Sequence, residues 1–244
     1  MSLLDREDLV GSLFFPRADA RACPAGARDH MVDVRGATLH LRVHGDRGPI
    51  VLLFHGNGEI VSDWDGAAPS FLARGARFGV LDYRAYGRST GTPTMRAVLD
   101  DAWTVLAYVH ALAGSTVIVM GRSLGSAAAW EVASASCVRA VIVDSGFTSV
   151  DAFARRRGVD PTTLEVSERA RLDPIAKIAR VTAPTLLLHG EDDSVIVHGE
   201  AERALASIPH ARKSLATIAG RGHNDLAMDP AYWRALGPFL DALR

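Results

Sequence analysis

Cysteine pairs, a dominant charge and long apolar runs are all missing from this chain. Its 244 residues include two cysteines, Cys23 and Cys137. They have no metal-ligand spacing, and nothing supports a disulfide between them, so a reducing compartment is expected. Cys137 stands just before an expected core strand and reads as a small buried hydrophobe. The formal net charge is -1, which gives no reason to invoke nucleic acid or an anionic membrane as partner. No segment approaches the ~20 apolar residues that a membrane span needs. The opening residues, Met1-Ser2-Leu3-Leu4-Asp5-Arg6-Glu7-Asp8, are charged and do not form a secretory signal. A cytoplasmic protein is expected. Internal repeats and low-complexity segments are absent too.

What is there is a 48% hydrophobic chain, long enough for a full core in a single domain over 1–244. Apolar runs alternate with helix-period segments, which predicts βα units and a mostly parallel sheet. Thr38 to Val43 alternates at period two, as in a half-exposed strand. Ile50 to Phe54 is continuously apolar, as in a strand buried on both faces. Further strands are expected at Gly79–Asp82, Val117–Met120, Ala140–Val143, Thr185–Leu188 and Ser214–Ile218. Thr94 to Leu112 reads as a helix with Met95, Val98, Leu99, Ala102, Val105, Leu106 and Val109 on one face. A last helix is expected from about Pro230 to Leu243. The stretch from about 148 to 180 breaks the rhythm. It carries Arg155-Arg156-Arg157, Gly158 and Pro161, and reads as a small lid of two or three short helices over the sheet edge.

The strongest local signal is Gly121-Arg122-Ser123-Leu124-Gly125, between an apolar run and the helix-like Ser126 to Ala133. Strand, Gly-x-Ser-x-Gly turn and helix make a nucleophile elbow. A Cβ at either flank would clash with nearby backbone, and the serine is left at a helix N-terminus, where amides favour an anion. His55-Gly56-Asn57-Gly58 follows the strand Ile50–Phe54. The Asn57 and Leu124 N–H groups are the candidate oxyanion hole, and His55 reads as a structural residue of that turn. Beyond the strand Thr185–Leu188 comes His189-Gly190-Glu191-Asp192-Asp193. Asp193 is favoured over its neighbour Asp192, because the Gly190 turn sends the later residue back over the sheet. His189 reads as loop support, and no spacing completes a metal site. Of nine histidines, His223 alone lies late in a Gly-rich loop after a strand. His198 and His210 read as surface residues, and His30, His40, His44 and His110 as solvated or structural. The order Ser123, Asp193, His223 is that of the α/β hydrolases rather than of chymotrypsin or subtilisin.

With these residues in place the chain resembles the α/β-hydrolase superfamily, and within it the compact serine aminopeptidase-like or BEM46-like group. The resemblance runs from about Phe14 to Phe239. Its marks are Phe14-Phe15-Pro16, the His55–Gly58 turn, Asp82 to Ser89, the serine pentapeptide, His189 to Asp193, and Gly222-His223. Ala85 stands where such proteins usually show glycine, which puts that local turn in question. The resemblance implies an eight-stranded, mostly parallel sheet with helices on both faces and a short lid. It also implies a Ser-His-Asp hydrolase of carboxylic esters or thioesters that needs no cofactor and no metal. Gly56, Gly58, Glu59 and Phe147 are the expected pocket residues. The expected partner is a small acyl substrate. The Arg155–Arg157 run is either a solvated helix face or a site for an anionic substrate such as an acyl-CoA. A ligand-binding member with an idle site, an amidase and an acyltransferase stand as alternatives. Dehalogenase and epoxide-hydrolase chemistry usually needs an Asp nucleophile, and Ser123 speaks against it. Acyl chain length, leaving group and oligomeric state are not legible.

Overall fold

The apolar runs become neighbouring strands of one sheet. The computed structural model of the protein describes residues 13–156 and 158–243. The sheet strands are β1 Ala27–Val34, β2 Ala37–His44, β3 Ile50–Phe54, β4 Arg77–Leu81, β5 Val117–Arg122, β6 Val138–Asp144, β7 Thr185–Gly190 and β8 Lys213–Ile218. They lie side by side in the order β1-β2-β4-β3-β5-β6-β7-β8. β2 runs antiparallel to both its neighbours, and every pairing from β4 to β8 is parallel. This is the expected fold class. The helices are α1 Ala68–Leu72, α2 Met95–Ala113, α3 Ser126–Val132, α4 Val150–Arg156, α5 Val166–Leu172, α6 Pro174–Ile178, α7 Gly199–Ser207 and α8 Pro230–Asp241.

Strand side chains alternate between faces, so a continuous apolar run feeds two cores at once. Leu52, Phe54, Val119, Val141 and Leu187 pack on one face, with Leu99 and Val105 of α2 and Trp130 of α3. Val51, Leu53, Ile118, Met120, Ile142 and Leu188 pack on the other, with Phe71 of α1 and Leu236 and Leu240 of α8. α2 buries every residue expected on its apolar face. Its first turn is closed by the Thr94 side chain, which accepts the Ala97 N–H at 3.1 Å. The strand and helix bounds fall within a few residues of those expected from the sequence.

Two strand expectations need correction. β1 has no counterpart among the expected strands, because Ala27 to Val34 is half polar and carries weak periodicity. β2 is not half exposed: His40 and Arg42 are fully buried. The two corrections have one cause. β1 covers the outer side of β2 and supplies Asp29, which accepts from Arg42 Nε at 2.7 Å and lies 3.1 Å from His40 Nε2. Arg42 also bonds Asp65 at 3.0 Å, and His40 Nδ1 lies 2.8 Å from Asp82. Period-two polar residues therefore mark a buried ion network here, rather than a wet face. Burial raises the Asp82 pKa, but hydrogen bonds to His40 and His55 and from the Val61 N–H outweigh it and bring the carboxyl to about 2. His44, expected to be solvated or structural, is buried against Asp65 at 3.0 Å. Cys137 is only half buried, and both cysteines are free.

In the Asp82 to Ser89 turn, alanine stands in a conformation that favours glycine. Ala85 adopts φ 63°, a left-handed conformation that costs an alanine about 1 kcal/mol. The insertion between β6 and β7 holds α4, a 3-10 turn at Pro161–Thr163, α5 and α6. It packs onto the first core through Phe153, Ala154, Leu164, Leu172 and Ile178. β6 and β7 are neighbours inside the sheet, so the insertion rises from the middle of the sheet and not from its edge. Among the described residues no helix is long and apolar enough to cross a membrane, and no cluster of His, Cys, Asp or Glu could hold a metal ion. The opening residues 1–12 and Arg157 lie outside the described residues.

Candidate active site

The elbow follows from what the two glycines allow. A Cβ on Gly125 would lie 1.9 Å from the Phe54 carbonyl oxygen, and one on Gly121 would lie 2.7 Å from the Gly125 oxygen. Only hydrogen fits at either place. Between them Ser123 takes φ 50°, a strained value that persists because β5 and α3 hold both ends. Ser126 Oγ donates to the Ser123 carbonyl at 2.7 Å and so locks the turn to the first residue of α3.

The acid and the imidazole come from the loops after β7 and β8. Asp193 lies beyond β7, with its carboxylate fully buried. Its Oδ1 accepts the Val195 and Ile196 N–H groups at 2.9 and 2.8 Å, which fixes the side chain. Its Oδ2 lies 2.8 Å from His223 Nδ1, and His223 Nε2 lies 2.9 Å from Ser123 Oγ. Asp192 is exposed. Gly190 makes the difference: a Cβ there would meet the Arg221 carbonyl at 2.2 Å, so the turn packs directly on the histidine loop. Burial works against the Asp193 charge, but hydrogen bonds from His189 and His223 and from the Ile196 N–H hold it well below the usual carboxylate range. His189 Nε2 sits 2.7 Å from the Ile196 oxygen and 3.3 Å from Asp193, in the loop-supporting position expected of it.

The turn after β3 is held by its neighbours. Asn57 Oδ1 accepts the Phe15 N–H at 2.9 Å and the Tyr86 hydroxyl at 2.6 Å, and its Nδ2 donates to the Leu13 carbonyl at 2.9 Å. The side chain is occupied with structure, which leaves the main chain as the part of Asn57 available for other work. Leu124 belongs to the 3-10 turn Ser123–Gly125 at the start of α3, where the leading amides have no helical acceptor. His55 is fully buried below, with Nδ1 2.8 Å from the Gly56 oxygen.

A cavity of about 300 Å³ opens at Ser123. Leu124 and Phe147 form its inner wall, Ala152, Phe153 and Arg156 of α4 a second side, and residues 194–196 of the acid loop a third. Of the expected pocket residues, only Phe147 is here, stacked on Phe153 with ring centroids 4.6 Å apart. Gly56, Gly58 and Glu59 do not line it. Glu59 faces a separate cleft with Trp64 and Trp233, and its carboxylate is taken up by the Gly56 N–H at 2.8 Å, by Trp64 Nε1 at 3.0 Å and by Arg122. Gly58 takes φ 81° and accepts from Arg17 Nε at 2.6 Å.

Sequence reasoning missed Arg122, the second residue of the pentapeptide. Its guanidinium pairs with Glu59, donates to the His223 carbonyl at 2.7 Å, and stands 3.9 Å from the buried Asp144. No residue-type pattern marks that position, since the elbow motif leaves it free. Phe153, Val195 and Ile196 were equally invisible as cavity residues. Chemically, an imidazole held by a carboxylate at one nitrogen and by a hydroxyl at the other can take the hydroxyl proton.

The family model for the alpha/beta hydrolase fold matches residues 49–165. Human alpha/beta hydrolase domain-containing protein 17B is 27% identical over 215 residues, 84% of this chain and 71% of that protein. Human protein 17C is 28% identical over 197 residues, 78% of this chain and 57% of that protein. The solved esterase Pf2001 of Pyrococcus furiosus superposes with a TM-score of 0.76 at 17% identity, over 94% of this chain and 98% of that one.

Proposed function

We propose that this chain, which has the α/β-hydrolase fold, is a serine hydrolase that cleaves carboxylic esters or thioesters. The observation that carries the reading is the unbroken relay from Ser123 through His223 to Asp193, at 2.9 and 2.8 Å, with Ser123 lining a cavity. Ser123 Oγ bonds to the acyl carbon while its proton passes to His223 Nε2. Asp193 steadies the imidazolium. The Asn57 and Leu124 N–H groups receive the oxyanion. Collapse breaks the bond to the leaving group, which departs as an alcohol or thiol with the proton from His223. Water then attacks the acyl-serine and gives a proton to His223. The second collapse releases the carboxylic acid and returns that proton to Ser123 Oγ. No step calls for a metal or cofactor. A cavity of about 300 Å³ suits a short or medium acyl group.

The test is a p-nitrophenyl ester series from acetate to palmitate, on wild type and Ser123→Ala, beside labelling by a fluorophosphonate. Turnover and labelling in wild type, both lost in Ser123→Ala, are expected. Equal ester hydrolysis by the two proteins would sink the reading.

A further inference from the structure

We infer that the substrate carries an anion, a carboxylate or a phosphate, and that Arg156 receives it at the rim of the Ser123 cavity. The inference rests on Ser123 being the nucleophile. Ala152, Phe153 and Arg156 all line the cavity, as their spacing on α4 requires, since residues three and four apart share a helix face. Arg155 is not among the residues that line it. Arg156 is exposed, so it stands where the cavity opens to water.

Two contrasts single it out. Among the described residues it is the only charged group on the cavity wall, beside Leu124, Phe147, Phe153 and Ile196. No carboxylate lines the wall to neutralise it. Two other arginines of the insertion are engaged: Arg169 with Asp151 at 2.5 Å, and Arg171 with Glu131 at 2.6 Å and Asp100 at 2.7 Å. Arg156 instead lines the space a substrate fills. A guanidinium offers a carboxylate or phosphate two parallel hydrogen bonds. Beside apolar walls such a pair is screened less than in open water.

The anion can belong to the acyl group or to the leaving group, and matched substrate pairs separate the two. The first pair is the p-nitrophenyl half-ester of glutarate against p-nitrophenyl valerate. The second is butyryl-CoA against the butyryl thioester of N-acetylcysteamine. The readout is the ratio of kcat/KM for the anionic to the neutral member within each protein, which cancels any general loss of activity. In wild type the ratio should exceed that of Arg156→Gln by about tenfold in at least one pair, mainly through KM. Arg156→Lys should recover part of it, and Arg156→Glu should fall below Arg156→Gln. A gain in the first pair puts the anion on the acyl side, and a gain in the second on the leaving group. Ratios that do not change from wild type to Arg156→Gln in either pair would overturn the inference and leave the serine chemistry standing. Where Ser123 is labelled by a fluorophosphonate but no ester turns over, the same comparison is made as protection from labelling, with glutarate against valerate and CoA against N-acetylcysteamine. Absence of both labelling and turnover would overturn the two readings together.

Discussion

The guanidinium of Arg122 meets three loops at once. It pairs with Glu59, whose other oxygen holds the Gly56 N–H of the turn carrying Asn57. It donates to the His223 carbonyl at 2.7 Å, and it grows from the residue before Ser123. A planar fork can serve two acceptors in fixed directions, whereas an ammonium is a single point charge. Arg122→Lys should therefore keep the Glu59 pair and lose the grip on the histidine loop. On the best ester of the series, kcat should fall about tenfold with KM within about twofold, because small misplacement of a reacting group costs rate rather than binding. Steady-state kinetics beside a circular-dichroism spectrum checks this. An unchanged kcat would mean that the Asp193 and Ser123 contacts alone hold His223.

At the scale of elements, the strand-elbow-helix unit is set by backbone proximity. α3 packs so close to β3 that Gly125 has carbonyl oxygen where a Cβ would be, at 1.9 Å from Phe54. Gly125→Ala must push β3 and α3 apart. It should cost about 3 kcal/mol or more and abolish activity. Gly114 ends α2 at φ 63° with nothing within 4 Å, so Gly114→Ala meets only the left-handed strain, about 1 kcal/mol. Urea midpoints for the two variants test the contrast; equal losses would show that crowding at the elbow is relieved by movement. The periodicity of α2 and the apolar runs of β3, β5, β6 and β7 were legible because each reflects burial that any sheet-and-helix packing demands. β1 was not. Its residues are half polar, and its place is set by the ion partners it meets on β2.

Across the whole molecule, that ion network ties stability to pH. Burial lowers the His40 pKa, but hydrogen bonds to Asp82 and then Asp29 outweigh it, and the net shift is upward. A raised histidine pKa contributes stability that is complete below the unfolded value of ~6.5 and is lost as pH rises through the folded value. Asp82, lowered to about 2, has the opposite sign. Its contribution, on the order of 2 kcal/mol, is complete above about pH 4 and drains away as pH falls towards 2. The Tm advantage of wild type over His40→Gln should thus be largest near pH 5.5 and shrink by pH 8.5 in thermal unfolding scans. An advantage that grows with pH would mean that His40 is neutral in the folded protein.

The chain order of serine, acid and histidine, the glycine-bounded turns and the alternation of strand and helix could all be read directly, because each is a local constraint written in residue type and spacing. Asp193 could be preferred to Asp192 on turn geometry alone. Of the cavity wall beyond the elbow, Phe147 was expected and the Arg155–Arg157 run was left open, but the rest could not be read. Phe153, Arg156, Val195 and Ile196 reach Ser123 only because the insertion after β6 folds back over the acid loop after β7. Nor could the fate of Glu59, drawn away from the cavity by an arginine 63 residues further on. Contacts between segments far apart in the chain leave no period and no motif, so packing alone decides them.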